Sequence, residues 1–349
     1  MKISVLLPYK ENFSTEYAGA VSLMLKDTIQ LSKYKKNIKV YGSTNFKKDI
    51  LKSNYVNLKI NNFFFQSKSS IYINNFLKNE TNNTSNLIEV HNRPNYLDKI
   101  YKVNKNIILY FHNDPLNMKG SRTIADRVNI INKTKKIIFI SKWVRKRFFN
   151  GINIKNLSKK KFTIIQHSTS LKKINFNKKQ KIILFVGRLN KSKGYDVFGR
   201  SIIKLLDKFP SWKSIVIGDE PREKLIFQHK NYKILGFQKN NIVSNWFKKS
   251  DICVVCSRWD EPFGRTALEA SSCGCAVIIT NNGGLPEASP KALKINKLNE
   301  KNLENLITKL IKDTKYKKKL QKKIYKNFSL TNSNISKKID NYRNLLVKS

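Results

Sequence analysis

Short apolar runs and longer amphipathic stretches alternate along the whole chain. Each apolar run has the length of a buried β-strand, and each amphipathic stretch has the length of a helix. This alternation is typical of a parallel sheet covered by helices, so the predicted class is α/β. In the first half we predict strands at residues 3–7, 38–41, 87–90, 107–111, 137–140 and 162–165.

A second series of strands follows a polar stretch at residues 171–181, which holds five lysines and no apolar periodicity and is therefore predicted to be a linker. A chain of 349 residues exceeds the size at which one hydrophobic core usually keeps growing. We therefore predict two doubly wound domains, 1–170 and 171–330, and a C-terminal segment, 331–349. The second-half strands are predicted at residues 182–186, 214–217, 233–235, 252–255 and 276–280.

Composition adds a strong positive charge to this picture. Sixty-nine basic and 23 acidic residues give a formal net charge of +46, and 40% of the residues are hydrophobic. The apolar content predicts a folded protein, and the charge favours phosphates, anionic lipid surfaces or nucleic acid as partners. The alternative is a compositional bias, in which most lysines only solvate the surface. No apolar run reaches the length of a membrane-spanning helix, so we expect a soluble or peripheral protein whose first residues form a strand. The four cysteines of the chain, taken as free thiols, fit a cytoplasmic, reducing compartment.

Four cysteines, Cys253, Cys256, Cys273 and Cys275, have a spacing that is close to a zinc-site pattern. The first two lie within a continuous apolar run, where a zinc knuckle needs a polar turn. Unpaired cysteines are among the most buried residue types, so we interpret all four as small core residues and expect no metal.

The most informative segment follows the strand that ends near Cys256. Residues 257–264 lead into a helix predicted to start near Arg265. The first amides of a helix lack partners and favour an anion or a hydroxyl. If one helix extended through both Glu261 and Glu269, the two carboxylates would lie on neighbouring faces and could bind two ends of one long ligand. The alternative is that both are ordinary solvated helix residues.

A second loop, residues 187–194, follows the strand at 182–186. Arg188 and Lys193 could together neutralise a diphosphate, although a basic loop is more often only a solvated surface. The chain has neither the GxxxxGK[ST] nor the GxGxxG pattern, which weakens nucleotide triphosphatase and dinucleotide-binding interpretations.

Together these segments resemble a known family. Residues 251–287, which read DICVVCSRWDEPFGRTALEASSCGCAVIITNNGGLPE, look like the donor-site signature of group 1 glycosyltransferases, also called family 4. Residues 186–194 resemble its phosphate-binding loop, and residues 217–219 its next strand end. The resemblance implies a GT-B fold, in which two Rossmann-like domains face a cleft and a final helix, here 328–346, returns to the first domain. It also implies a retaining reaction without a metal or other cofactor.

The resemblance assigns the second domain to the nucleotide-sugar donor. Arg188 and Lys193 are expected to stabilise the departing phosphates, and Glu261 to hold hydroxyls of the transferred sugar. Glu269 is expected to bind the ribose. The remaining expected donor contacts are Gly19, Gly187, Asp219, Pro262, Phe263, Gly264, Arg265, Gly283 and Gly284.

The first domain is expected to bind the acceptor and resembles the family less closely. Its Ala18–Gly19 pair stands where the family has two glycines, and residues 166–168 stand where relatives carry Pro-Asn-Gly. His112 resembles the family's histidine near the reacting carbon, where a neutral imidazole orients a hydroxyl or accepts a proton. The expected acceptor residues are His91, Asn92, Arg93 and Asn113.

The expected substrates are a UDP- or GDP-sugar and a saccharide or lipid-linked saccharide acceptor in lipopolysaccharide, capsule or other surface-glycan synthesis. The expected transferred group is a hexosyl or N-acetylhexosaminyl unit. Residues 142–149 mix aromatic and basic side chains and suggest contact with the anionic inner face of the cytoplasmic membrane. Two alternatives stay open. One is a non-enzymatic nucleic-acid binder, for which we find no motif, and the other is a GT-B epimerase or phosphorylase.

Overall fold

The computed structural model describes residues 1–14, 18–44, 54–60, 66–155 and 157–348. The chain divides into two compact units. Unit 1 comprises Met1–Ser168 and Asn332–Ser349, and unit 2 comprises Thr169–Thr331. Each unit is built around its own parallel sheet.

Within its described residues, unit 1 has a seven-stranded sheet in the order β3-β2-β1-β4-β5-β6-β7, and every neighbouring pair is parallel. Side chains of β4 and β5 are buried throughout, as expected for strands covered on both faces. The strands are β1 Ile3–Leu6, β2 Ile38–Gly42, β3 Tyr55–Asn57, β4 Leu87–His91, β5 Ile107–Phe111, β6 Lys136–Phe139 and β7 Phe162–Ile164. The helices are α1 Ala20–Ile29, α2 Lys68–Asn82, α3 Leu97–Val103, α4 Ile124–Lys133, α5 Lys142–Phe148 and the C-terminal α12 Asn332–Lys348.

Unit 2, all of whose residues are described, has a six-stranded parallel sheet in the order β10-β9-β8-β11-β12-β13. Its strands are β8 Gln180–Val186, β9 Lys213–Ile217, β10 Tyr232–Ile234, β11 Ser250–Val255, β12 Ala276–Thr280 and β13 Leu293–Ile295. Its helices are α6 Tyr195–Lys208, α7 Asn240–Lys249, α8 Arg265–Ser272, α9 Leu285–Ala288, α10 Glu300–Lys312 and α11 Thr314–Lys326.

Both sheets reverse their direction of growth beside their first strand. The reversal lies between β1 and β4 in unit 1 and between β8 and β11 in unit 2. In doubly wound sheets, ligands bind at the carboxyl ends of the strands at such a switch point. The loops that follow β8 and β11 are therefore the first place to look for a site.

The predicted α/β class is confirmed, and each predicted strand overlaps an observed one. Two short strands, β3 and β13, were not predicted, because three residues with partly exposed side chains give no continuous apolar run. The linker prediction for residues 171–181 is wrong. Lys172 exchanges hydrogen bonds with Ser272 and Tyr325 of unit 2, Phe176 packs edge-on against Tyr325, and β8 starts within the segment.

A buried ion pair joins α12 to the sheet of unit 1. The Arg343 guanidinium donates from Nε and Nη2 to the two carboxylate oxygens of Glu89, each at 2.8 Å, and both side chains are almost fully buried. Asp340 of α12 accepts hydrogen bonds from Ser32 Oγ at 2.7 Å and from the Lys33 amide at 2.8 Å. Glu89 lies in the middle of β4, so its charge is compensated only while α12 is in place.

The four cysteines are buried, as predicted for small core residues. Burial raises the pKa of Cys256 and of Cys275 to about 12, so both thiols are protonated at neutral pH. Within the described ranges, His, Cys, Asp and Glu side chains form no cluster of three or more that could hold a metal ion. None of the helices in these ranges has the length and the apolar content needed to span a bilayer.

Candidate active site

Three loops of unit 2 are tied together at the carboxyl edge of its sheet. They follow β8, β11 and β12. The amides of Arg258 and Trp259 both donate to the Ser192 carbonyl, at 2.9 and 3.1 Å. The Thr280 hydroxyl donates to the Ser257 carbonyl at 2.6 Å, and the Gly284 amide donates to the Glu261 carbonyl at 2.6 Å. The loops therefore form one connected surface.

The charged centre of this surface is an ion pair between Lys193 and Glu261. The ammonium of Lys193 bonds Glu261 Oε1, and 29% of the Lys193 side chain and 15% of the Glu261 side chain are exposed. The sequence places these residues on different loops, and the fold brings them together. They share a depression with Phe185, Val186, Gly187, Val255, Cys256, Ser257 and Thr266.

The start of α8 borders the same surface. The helix begins at Arg265, and none of the described side chains caps its first turn. Those amides are open to an anion or a hydroxyl. Because Glu261 precedes the helix, the single-helix geometry considered for Glu261 and Glu269 is wrong. Glu269 instead forms an i,i+4 ion pair with Arg265 at 2.8 Å and stays partly exposed.

The glycines of this region allow backbone segments to approach each other closely. Gly264 has φ +103°, and a Cβ there would lie 2.4 Å from a Leu285 methyl. At Gly283, with φ +56°, a Cβ would lie 2.3 Å from the Glu261 carbonyl oxygen, and at Gly284 it would lie 2.3 Å from the Pro262 carbonyl oxygen. Gly283 and Gly284 thus let the β12 loop pack directly against the chain that positions Glu261.

Arg258 fixes the β11 loop to the start of α6. Its guanidinium donates to both carboxylate oxygens of Asp196, at 2.5 and 2.8 Å, and to the Lys191 carbonyl at 2.6 Å. Burial raises the pKa of Asp196, but the hydrogen bonds and charge of Arg258 outweigh burial and leave it below its ordinary value. Asp196 is therefore ionised at neutral pH, and the pair holds Lys193 next to Glu261.

The remaining predicted donor residues of unit 2 lie around this surface. Arg188 is exposed, and no carboxylate of the described residues pairs with it, so its charge is available to a ligand. Asp219 is exposed too, and its carbonyl accepts a hydrogen bond from the Leu189 amide at 3.3 Å. A Cβ on Gly218 would lie 1.8 Å from the Gly187 carbonyl oxygen, so these two strand ends touch. Phe263 is buried, whereas Pro262 is half-buried.

In unit 1, three histidines form a continuous hydrogen-bonded row. His91 Nδ1 lies 2.8 Å from His112 Nε2, and His112 Nδ1 lies 3.0 Å from His167 Nε2. The three rings are at most 6% exposed. Burial lowers the pKa of His91 from 6.5 to about 3, with smaller contributions from the charge of Arg343 and from His167. The pKa of His112 is also lowered, mainly by burial and to a smaller extent by His91. His91 and His112 are therefore neutral at physiological pH.

The expected acceptor residues lie beside this row. Asn92 adopts φ +52° and is buried, and its side-chain oxygen accepts hydrogen bonds from the amides of His112 and Asn113 at 2.7 and 3.3 Å. Arg93 donates to the Asn92 and Tyr9 carbonyls. Asn113 is exposed. Asn92 therefore orders the loop, whereas Arg93 and Asn113 keep accessible surface.

At Gly19 the structure differs from the expected phosphate contact. The Glu11 carboxylate lies there, 2.1 Å from where a Gly19 Cβ would be, and accepts hydrogen bonds from the Ser22 amide and hydroxyl at 3.1 and 3.0 Å. Burial raises the pKa of Glu11 more than the Ser22 hydrogen bonds lower it. A protein carboxyl group thus occupies the start of α1.

Sequence reasoning missed His167 and Glu11 as neighbours of the site residues. His167 comes shortly after β7, just as His91 ends β4 and His112 follows β5, so the same strand-end signal was present. Glu11 had no comparable signal, because its position depends on the fold of the loop between β1 and α1.

Comparison with known families decides the identity of the matched part of the chain. Residues 167–327 match the family described as glycosyl transferases group 1. They include the loops after β8, β11 and β12. Residues 167–327 belong to the group 1 glycosyltransferases.

Two bacterial proteins are among the relatives of this chain. An uncharacterized 41.2 kDa protein in the cps region of Klebsiella pneumoniae is 36% identical over 146 residues, which are 38% of this chain and 39% of that protein. The lipopolysaccharide core biosynthesis mannosyltransferase LpsB of Rhizobium meliloti is 29% identical over 149 residues, 40% of this chain and 42% of that protein. The chain thus spans well under half the length of each.

The likeness of fold extends over both units. The crystal structure of Anabaena HepE in complex with UDP-glucose superposes with a TM-score of 0.73, covering 99% of this chain and all of that one at 16% identity. At that identity the likeness concerns the fold, which is GT-B: two Rossmann-like, doubly wound parallel-sheet units.

Proposed function

We propose that this protein is a retaining glycosyltransferase that moves a hexosyl or N-acetylhexosaminyl unit from a UDP- or GDP-sugar to a saccharide or glycolipid acceptor. The observation that carries the proposal is the Lys193–Glu261 pair beside the uncapped start of α8, inside the group 1 region. The solved HepE complex holds UDP-glucose on the same fold, which supports this donor class.

The donor diphosphate requires cations where negative charge accumulates as the sugar departs. Arg188 has no carboxylate partner among the described residues, and Lys193 can exchange Glu261 for a phosphate oxygen. We assign these two side chains to the diphosphate. No metal or cofactor is part of the proposal, because the two cations and the α8 amides offer the required positive charge.

Glu261 and the amides of Phe263 and Gly264 are assigned to hydroxyls of the transferred sugar. A carboxylate accepts two hydroxyl hydrogen bonds at once. Glu269 is assigned to the ribose, since its carboxylate stays partly exposed beside Arg265. The proposed surrounding contacts are Gly187, Asp219, Pro262, Arg265, Gly283 and Gly284.

In unit 1 we assign His112 to the transferred sugar, and Arg93 and Asn113 to the acceptor. Both ring nitrogens of His112 are bonded to other imidazoles, so a contact through a ring nitrogen must replace one of those bonds. His91 and Asn92 are buried and support this region from behind. Lipopolysaccharide or capsule synthesis is the proposed setting, supported by the named role of LpsB and the cps location of the Klebsiella relative.

We further propose that α5 and its neighbours contact the anionic inner face of a membrane. Lys142 and Lys146 are exposed on α5, and Ile124, Val128 and Ile154 of the same unit are exposed apolar residues. Basic side chains beside exposed apolar ones are typical of interfacial binding. Flotation with anionic liposomes at physiological salt tests this. Protein that floats supports the proposal, and protein that stays in solution contradicts it.

The transferase proposal is tested by incubating the protein with labelled UDP- and GDP-sugars and bacterial saccharide or glycolipid acceptors. We expect one donor to yield a labelled glycan, and Glu261→Ala to lose this activity. Glu300→Ala is the control, because Glu300 is also ion-paired, to Arg200 and Lys204, but on the α10–α6 face. Conversion of the donor without transfer would instead indicate an epimerase, and salt-sensitive binding of DNA or RNA with no turnover would indicate a nucleic-acid binder.

A further inference from the structure

The row of histidines in unit 1 consists of three rings joined by two hydrogen bonds. His91, His112 and His167 follow three strands of one sheet, and each link between their rings joins one nitrogen to one nitrogen, at 2.8 and 3.0 Å. The rings of His91 and His112 also stack, with centroids 5.1 Å apart and planes 17° apart. The central ring, His112, uses both of its nitrogens on the other two.

The donors and acceptors of the two links couple the tautomers of the three rings. A neutral imidazole has one N–H donor and one acceptor nitrogen, and each link needs one of each. If His112 carries its proton on Nε2, His91 must accept on Nδ1, and His167 must donate from Nε2. If His112 carries its proton on Nδ1, His91 must donate from Nδ1 and His167 must accept on Nε2. In either case all three rings have the same tautomer, all Nε2–H or all Nδ1–H.

We propose that His91 and His167 are positioning residues that fix the tautomer of His112, so that the three imidazoles act as one coupled unit. The role of His112 toward the sugar rests on the proposed function, whereas the coupling itself does not. The nitrogen of a histidine that carries the proton is set by the hydrogen bond its other nitrogen makes. Here that partner is another histidine on each side.

The surroundings of His91 keep this end of the row neutral. His91 stacks on Tyr110, with centroids 4.3 Å apart and planes 10° apart, and its Nε2 has no hydrogen-bond partner among the described residues. The nearby buried charge of Arg343 disfavours a proton on His91. An imidazolium at His112 would donate from both nitrogens and leave His91 and His167 with opposite tautomers, so the shared tautomer requires a neutral central ring.

Nuclear magnetic resonance of protein labelled with ¹⁵N at histidine tests the coupling without any ligand. The chain has only four histidines, each assignable by substitution. His229 is an internal reference, because its Nδ1 accepts from the Asn231 amide at 2.9 Å and its proton is therefore on Nε2. We expect His91, His112 and His167 to be neutral at pH 7 and to share one tautomer. Mixed tautomers among them, or an imidazolium, would overturn the proposal.

Two variants of His91 separate hydrogen bonding from packing. His91→Asn keeps a polar group near the Nδ1 position but loses the stacking on Tyr110, whereas His91→Phe keeps the stacking but loses the hydrogen bond. We expect the Asn variant to retain the wild-type tautomer at His112, and the Phe variant to show a mixture. The opposite pattern would mean that His91 acts only by packing.

Turnover distinguishes this inference from the proposed function. With a UDP- or GDP-sugar that the wild-type protein consumes, His91→Phe should lower kcat roughly ten- to hundredfold with little change in KM, and His91→Asn should recover most of it. Coupled tautomers in a protein that consumes no nucleotide sugar would leave the inference standing and remove the proposed function. Consumption with uncoupled tautomers would do the reverse.

Discussion

Lys193 and Glu261 illustrate how single residues gain meaning from the fold. Neither charge is unusual in a chain with 69 basic residues, but the Arg258–Asp196 pair and the hydrogen bonds to Ser192 hold the two loops together. Before a ligand binds, each of the two charges partly neutralises the other. A donor that supplies phosphates for Lys193 and hydroxyls for Glu261 can satisfy both at once.

Glu261→Ala should therefore lower kcat/KM for the donor roughly ten- to hundredfold, the loss expected for about 1.5–3 kcal/mol of charged hydrogen bonding. Its thermal stability should stay close to that of the Glu300→Ala control. Steady-state kinetics and a melting curve of each variant check this. Strong destabilisation by Glu261→Ala with unchanged activity of the folded fraction would show that the residue is structural.

The buried histidines make the stability of unit 1 depend on pH. His91 has a pKa of about 3 when folded and 6.5 as its ordinary value. Below pH 6.5 the unfolded chain binds a proton that the folded chain does not, so stability is fully present above pH 6.5 and falls as the pH is lowered. The pKa difference of His91 alone should lower the free energy of unfolding of unit 1 by roughly 2 kcal/mol between pH 6.5 and pH 5.

Native-state hydrogen exchange of the β4 amides, corrected for the intrinsic rate at each pH, measures this loss. His91→Asn should show a smaller decrease between pH 7 and pH 5 than the wild-type protein. His229→Gln, which changes a histidine of unit 2, should behave as wild type. An equal decrease in wild type and His91→Asn would rule out His91 as the source.

Site residues that end strands could be predicted from the sequence, because a strand's apolar run shows where its carboxyl end lies. His91, His112, Arg188 and Glu261 were found in this way. Their partners could not be found, since neither the link from His112 to His167 nor the pair of Lys193 with Glu261 leaves a pattern in the order of residues. The Glu11 carboxyl beside Gly19 shows the same limit.

At the scale of elements, α12 depends on one buried ion pair. Arg343→Met should destabilise unit 1 by about 3–5 kcal/mol, because it leaves the Glu89 charge buried in β4 without a partner. Lys338→Met is the matched control, since Lys338 is exposed on the same helix.

Urea unfolding of these variants, of Glu89→Gln and of Glu89→Gln/Arg343→Met measures the effect. The double variant should recover part of the lost stability, because it removes both charges. A double variant as unstable as the sum of its single substitutions would show that the two residues do not act as a pair.

The ends of helices and strands were predictable only where a residue such as glycine marks them in the sequence. Gly264, with its positive φ, marks the start of α8, which was expected near Arg265. The lysine-rich segment 171–181 was misread, because its contacts with Ser272 and Tyr325 come from distant parts of the chain. The C-terminal helix starts at Asn332 rather than at Phe328, as Asn327 and Phe328 close the end of α11 instead.

For the whole molecule, the central question is what its charge of +46 binds. The fold offers a specific answer, because Arg188 and Lys193 follow β8 and the open start of α8 follows β11, the two strands that flank the switch point of the unit 2 sheet. A nucleoside diphosphate should bind there through a few defined contacts. Nucleic acid would instead bind through many diffuse ones, with a steep dependence on salt.

The most direct measurement is thermal stabilisation of the purified protein by UDP, GDP, ADP and CMP, each with and without its sugar. We predict that one diphosphate raises the melting temperature by several degrees at saturating concentration, and that Arg188→Ala abolishes this shift. The absence of a shift with every nucleotide, together with a salt-sensitive shift on adding DNA or RNA, would contradict the account.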